Sequence, residues 1–188
     1  MPRQPDPQLE DRILNTARKL FVRGGEKALS MRTLARAAHT NTPAVYRRFR
    51  NRKEILRALL HRTQRDLLAV LEPCGSLTEA CQRTVDFIAS HHHEYQLISA
   101  GIFIKIEEPR VTLEFMKRRS AEWLGGTPDQ HTALVLALWG LVHGTGTLLS
   151  SKTVPGKHEA DLRLAFQNAV DLLVVNGYRL SHPNMGTA

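Results

Sequence analysis

The stretch Ser30–Lys53, SMRTLARAAHTNTPAVYRRFRNRK, decides the fold. Ser30 can cap a helix over MRTLARAA, because its side-chain oxygen can accept from an otherwise unpaired backbone N–H. Leu34, Ala35 and Ala38 face inward on that helix. His39 and Thr40 make a turn. Asn41 is a good cap for a second short helix, which tolerates Pro43 in its first turn. Val45 and Phe49 are four apart and belong to the core face. Thr42, Ala44, Tyr46, Arg47 and Arg48 are left facing outward or sideways.

The pattern extends in both directions. Residues 1–5 read as a mobile arm, and a first helix should open near Asp6 with Pro7 at its first position. Leu9, Ile13, Leu14, Ala17, Leu20 and Phe21 form its apolar stripe, and Gly24-Gly25 stop it. Downstream, Asn51 caps a long fourth helix, with Glu54 able to reach back. That helix should run from Arg52 to about Glu72 before Pro73 and Gly75 end it. Further helices are expected over Leu77–His92, from Pro109 to Gly125-Gly126, from Thr127 to about Leu149, and from His158 to Val175. The Thr127-Pro128-Asp129-Gln130 start is a strong capping signal. Residues 94–107 are ambiguous and read best as a short or broken helix. The whole reads as all-α: a three-helix head over 1–52, a larger helical body over 53–177, and a disordered tail over 178–188.

Charge divides the chain in the same place. Residues 1–65 hold 16 Lys and Arg against 5 Asp and Glu, whereas residues 66–188 hold 10 against 13. A basic front and a mildly acidic body imply a polyanion partner for the front alone. Cys74 and Cys81 lack metal-ligand spacing and read as buried, inert thiols. With no signal peptide in evidence, a reducing cytoplasmic setting is expected. No apolar run reads as a membrane span, since the run Ala133–Val142 is broken by His143, Gly144 and Gly146.

Two short helices joined by a tight turn and ringed by cations make a helix-turn-helix. Its second helix enters the major groove, while the first helix and nearby backbone hold it against the phosphates. Ala35, Ala38 and Ala44 allow close helix approach. Thr33, Tyr46 and Lys53 offer donors to phosphate, Lys53 from a helix start. Thr42, Pro43, Ala44, Arg47 and Arg48 are the remaining candidates to meet DNA, and the two arginines can reach guanine edges or phosphates.

These residues resemble the TetR family of bacterial transcriptional regulators. The resemblance rests on Phe21 and Gly25, Ser30-Met31, Leu34-Ala35, Ala38, the run Asn41–Tyr46, Phe49, and Lys53-Glu54-Ile55-Leu56. It covers about the first third of the chain. Trp139-Gly140-Leu141-Val142-His143-Gly144 also resembles a Trp…His-Gly signature of one class of TetR C-terminal domain. The resemblance implies an all-helical homodimer of about nine helices per subunit, paired through its last two long helices. It further implies a body enclosing a small apolar or amphipathic ligand, and double-stranded operator DNA as partner. One position departs from the family pattern: His39 stands where a glycine is usual, at a place that favours positive φ.

Other side chains are weighed against simpler roles. His91-His92-His93 cannot all meet one ion from consecutive helix positions, so a helix-end role is the better account and no metal is expected. His91 or His92 could share a face with Tyr95 and line a pocket. Trp139 and His143, four apart, read first as core packing. The alternative is a pocket wall with Phe87, Phe103, Phe115 and Trp123 as companions. No acid–base pair, nucleophile elbow, phosphate loop or cofactor motif has sensible spacing, so no enzyme and no cofactor is expected. Three readings remain open: a ligand-released repressor, a regulator without a small-molecule effector, and a helical enzyme or carrier with a basic head.

Overall fold

The structure, a computed structural model, describes residues 8–95 and 111–177. Among these there is no strand, and the all-α expectation holds. Helices α1 (Leu9–Gly24), α2 (Met31–Ala37), α3 (Thr42–Arg48) and α4 (Arg52–Leu71) come first. They are followed by α5 (Leu77–Ser90), α6 (Val111–Leu124), α7 (Thr132–Ser150) and α8 (Glu159–Val175). The expected starts at Asp6 and Pro7, most of the ambiguous 94–107 segment, and the tail beyond Gly177 lie outside the described residues.

Two compact units result. One runs up to Thr63 and takes in the segment that starts at His93; the other holds Gln64–His92 and the residues from α6 onward. Helix α4 is therefore common to both.

In the first unit the predicted stripes form one core. Ile13, Ala17 and Phe21 of α1 meet Leu34, Ala35 and Ala38 around α2, and Ala44, Val45 and Phe49 around α3. Ile55, Leu56, Leu59 and Leu60 of α4 close it. The caps are as read: the Ser30 Oγ accepts from Thr33 N at 3.0 Å, and the Asn41 Oδ1 from Ala44 N at 2.8 Å. Asn51 Oδ1 accepts from Glu54 N at 3.0 Å. Glu54, however, reaches past Asn51 and accepts from Arg50 N at 2.7 Å. A short 3-10 turn, Gly25–Ala28, was not anticipated between α1 and α2.

In the second unit α5 and α8 pack on α7, with Val85 and Ile88 of α5, Leu134 and Leu138 of α7, and Phe166 and Val170 of α8 fully or nearly buried. Gly146 makes the α5–α7 approach possible, since a Cβ there would meet the Ile88 side chain at 2.7 Å. Gly125 and Gly126, with φ of 81° and 78°, end α6 as expected. Gln130 accepts from Thr127 N at 2.7 Å, but the turn it opens is 3-10 (Pro128–His131) before α7 begins.

Helix α7 corrects one expectation. His143, Gly144 and Gly146 do not break its apolar run, and Pro128–Ser150 is long and apolar enough to cross a membrane by length and composition. The reason is that no charged side chain falls within α7, and glycine costs a helix only about 1 kcal/mol relative to alanine.

Candidate nucleic-acid interface

Helix α3 is short, and one face of it is spent on the core. Ala44 and Val45 are buried, while Pro43, Tyr46, Arg47 and Arg48 are exposed and Thr42 is half-buried at the first position. Ala44 is thereby removed from the residues that can read a base: with seven residues, α3 has room for only one inward face, and Ala44 lies on it.

The cations around α3 sort into two groups. Arg47 and Lys53, and Arg32 and Arg36 on α2, are exposed and form no ion pair among the described residues. Arg52 differs: it donates to the Glu26 carbonyl at 3.3 Å and pairs with the Glu26 carboxylate. It ties the start of α4 to the 3-10 turn and is partly neutralised there. Arg48 also has a partner within the protein. Arg47 is thus better placed than Arg48 to meet a base or a phosphate.

Thr33 is half-buried at the start of α2. Its hydroxyl oxygen accepts from the Ser30 Oγ at 2.7 Å, which leaves its own O–H to donate outward. Tyr46, 51% exposed, is on the uncovered side of α3. Lys53 is the second residue of the twenty-residue helix α4, where helix dipole and ammonium both favour an anion. Arg12 of α1 donates to the Ala38 carbonyl at 3.2 Å and fixes the end of α2. Arg32 and Arg36, four apart on the exposed face of α2, are two further exposed cations that the sequence reading did not single out; their spacing alone was the signal.

Residues 13–59 match the sequence model described as "Bacterial regulatory proteins, tetR family". This chain carries a TetR-family DNA-binding domain. It is a helix-turn-helix transcriptional regulator. The fold is similar to that of a TetR-like transcriptional regulator from Rhodococcus sp. RHA1, with a TM-score of 0.63. That likeness covers 94% of this chain and 97% of the other at 18% identity, so it speaks for the fold. No curated protein sequence matches the chain.

The residues expected to line a ligand pocket fall in both units. Tyr95 is buried in the first unit, whereas Phe87, His91, Phe115, Trp139 and His143 belong to the second. Helix α5 ends at Ser90 and His91 is a bend, so His91 and Tyr95 do not share a helical face; His92 and Tyr95, three apart in helical backbone, do. His91 instead stacks on Phe87 with ring centroids 4.6 Å apart, and its Nδ1 lies 3.2 Å from the Phe87 carbonyl. That is the helix-end role. Trp139 stacks on His143 but is 40% exposed, so core packing within one chain is not its role. Trp123 lies under Arg119, 4.5 Å from ring centroid to guanidinium carbon. Phe103 lies outside the described residues.

Cys74 and Cys81 are both buried. Burial pushes the Cys81 thiol up to about 12, and the nearby Cys74 adds to the shift. Burial likewise raises Cys74.

Proposed function

We propose that this regulator is a homodimeric repressor that binds a roughly palindromic operator and leaves it when a small apolar or amphipathic ligand enters the helical body. The observation that carries the dimer is the apolar face left uncovered on the last two helices. Leu136, Trp139 and Leu148 on α7, and Leu164, Leu172 and Val175 on α8, are all exposed, the last three by 60%, 64% and 81%. Scattered exposed leucines are ordinary, but large apolar residues concentrated on two adjoining helices mark an interaction surface. A second copy fits best, because an isologous contact needs only one self-complementary patch. The same face accounts for the apolar composition of α7 without a membrane.

In the dimer, two copies of α3 meet successive major grooves ~34–36 Å apart, which makes the operator palindromic. Contacts to phosphate supply most of the affinity and make it fall with salt. Ligand release is a population shift, and requires the ligand to favour the arrangement that does not fit DNA. Helix α4, common to both units, is the covalent route for that change. Such a regulator works in the cytoplasm, where its operator lies.

The second reading, a regulator without a small-molecule effector, is favoured by one observation: Trp139, expected in the pocket wall, is exposed on α7. Selection from a random duplex library, followed by a mobility-shift assay, tests DNA recognition; a palindromic consensus is expected. Failure to enrich any sequence would remove the reading and leave the helical carrier or enzyme. A thermal-shift screen of small apolar compounds then separates the two regulator readings, since a ligand that binds only the folded state raises the melting temperature.

A further inference from the structure

The turn of the helix-turn-helix contains a residue that the fold itself does not need. Helix α2 ends in a Schellman arrangement: Thr40 N donates to the Ala35 carbonyl at 2.9 Å, and His39 N to the Arg36 carbonyl at 3.2 Å. His39 occupies the left-handed position of that motif, with φ 53°. Glycine takes this conformation without penalty, whereas a histidine is strained there. The side chain gives the fold nothing in return. His39 is exposed and makes no hydrogen bond, ion pair or ring contact among the described residues through its imidazole. Strain held at an exposed position, with the backbone locked on both sides, points to a role outside the chain.

The side chains around it are those proposed to meet nucleic acid. His39 stands two residues before Asn41, the cap of α3, and three after Arg36, an exposed cation on α2. We infer that the His39 imidazole donates a hydrogen bond to a DNA phosphate beside the recognition helix, adding a backbone contact from the turn itself. A ring N–H suffices for this, and no protonation is required. Such a contact fixes the position of α3 on the duplex and carries no base preference of its own. The inference rests on α2–α3 being the DNA-binding element.

The test uses the full-length protein and the duplex it selects from a random library. His39→Gly should fold at least as stably as the wild type, because it relieves the left-handed strain. It should bind the selected duplex about fivefold more weakly, the loss expected for one ordinary hydrogen bond. His39→Asn, which tolerates the same backbone, guards against an effect of glycine flexibility and should also weaken binding. Duplexes carrying a single neutral methylphosphonate, scanned along the site, give the deciding readout. At one phosphate the wild type should lose affinity while His39→Gly loses none, so the two proteins converge there. If both variants bind like the wild type, or if their loss is the same at every scanned phosphate, the contact is not made. If the wild type selects no duplex, this inference fails together with the DNA-binding role on which it rests.

Discussion

Arg18 of α1 donates its Nε to Oε1 of Glu94 at 3.1 Å, across 76 positions of sequence. The Glu94 side chain is only 12% exposed and that of Arg18 33%. The pair therefore ties the segment after α5 into the first unit. Replacing Glu94 with Gln should cost that unit about 1 kcal/mol, since the arginine loses its charged partner but keeps some access to water. Urea unfolding of the variant would show it. An unchanged midpoint would mean that the pair is one of the many that contribute nothing.

Asn41 positions the recognition helix through a single bond to Ala44 N. Asn41→Ala should lower stability by about 1 kcal/mol, and Asn41→Ser should recover most of it. DNA affinity should follow the same order, because a frayed α3 must be ordered before it binds.

Among the cations, Arg47→Ala and Lys53→Ala should each weaken DNA binding. For each residue that contacts a phosphate, the slope of log affinity against log salt should become shallower by about 1. Arg52→Ala should behave otherwise. It should lower the melting temperature through loss of its bonds to Glu26, with a smaller change in salt slope. Equal slopes for wild type, Arg47→Ala and Lys53→Ala would remove both residues from the interface.

Three glycines of α7 make a matched experiment. Gly146→Ala places a Cβ 2.7 Å from the Ile88 side chain and should cost about 1–3 kcal/mol of overpacking. A Cβ at Gly140 or Gly144 meets nothing within 4 Å in the single chain. Alanine at either should stabilise the helix by up to about 1 kcal/mol. On the proposed dimer face the same methyl groups would disturb subunit packing instead, and light scattering would report more monomer. Leu172→Glu should give monomer outright and abolish cooperative binding to the palindrome.

The two thiols should resist alkylation in the native protein at pH 8 and react once it is denatured. The pH dependence follows from the Cys81 shift to about 12 from an ordinary 9.0. Below pH 9 the thiol is protonated whether the chain is folded or not, so it contributes no pH dependence. Above pH 9 the unfolded chain releases the proton and the folded chain holds it, so stability falls until about pH 12. Rapid reaction of native Cys81 with a thiol reagent at pH 8 would contradict its burial.

Much of the first unit was legible because its signals are local. Ser30, Asn41 and Asn51 each act on a backbone N–H three residues away. The positive φ at His39 follows from the end of a seven-residue helix. Other features depend on what arrives from far along the chain. The partial neutralisation of Arg52 requires Glu26, and the seat of Glu94 requires Arg18. Lys117 is buried against Asp129 at 2.7 Å and Glu114, and bonding to both carboxylates raises it above the ordinary lysine range. No pattern within α6 announces that Asp129 will be there.

The sequence by itself determined the helix-turn-helix: helical period, capping residues and a one-sided charge are properties of neighbouring residues, and they survive whatever the rest of the chain does. Tertiary structure alone decided which residues of that motif remain available. It buried Ala44, engaged Arg52 and Arg48, left Arg47, Lys53, Arg32 and Arg36 without ion pairs among the described residues, and left Trp139 exposed on α7. The reason is that exposure and pairing are set by packing between elements distant in sequence, whereas helix and turn are set by bonds that span three or four residues.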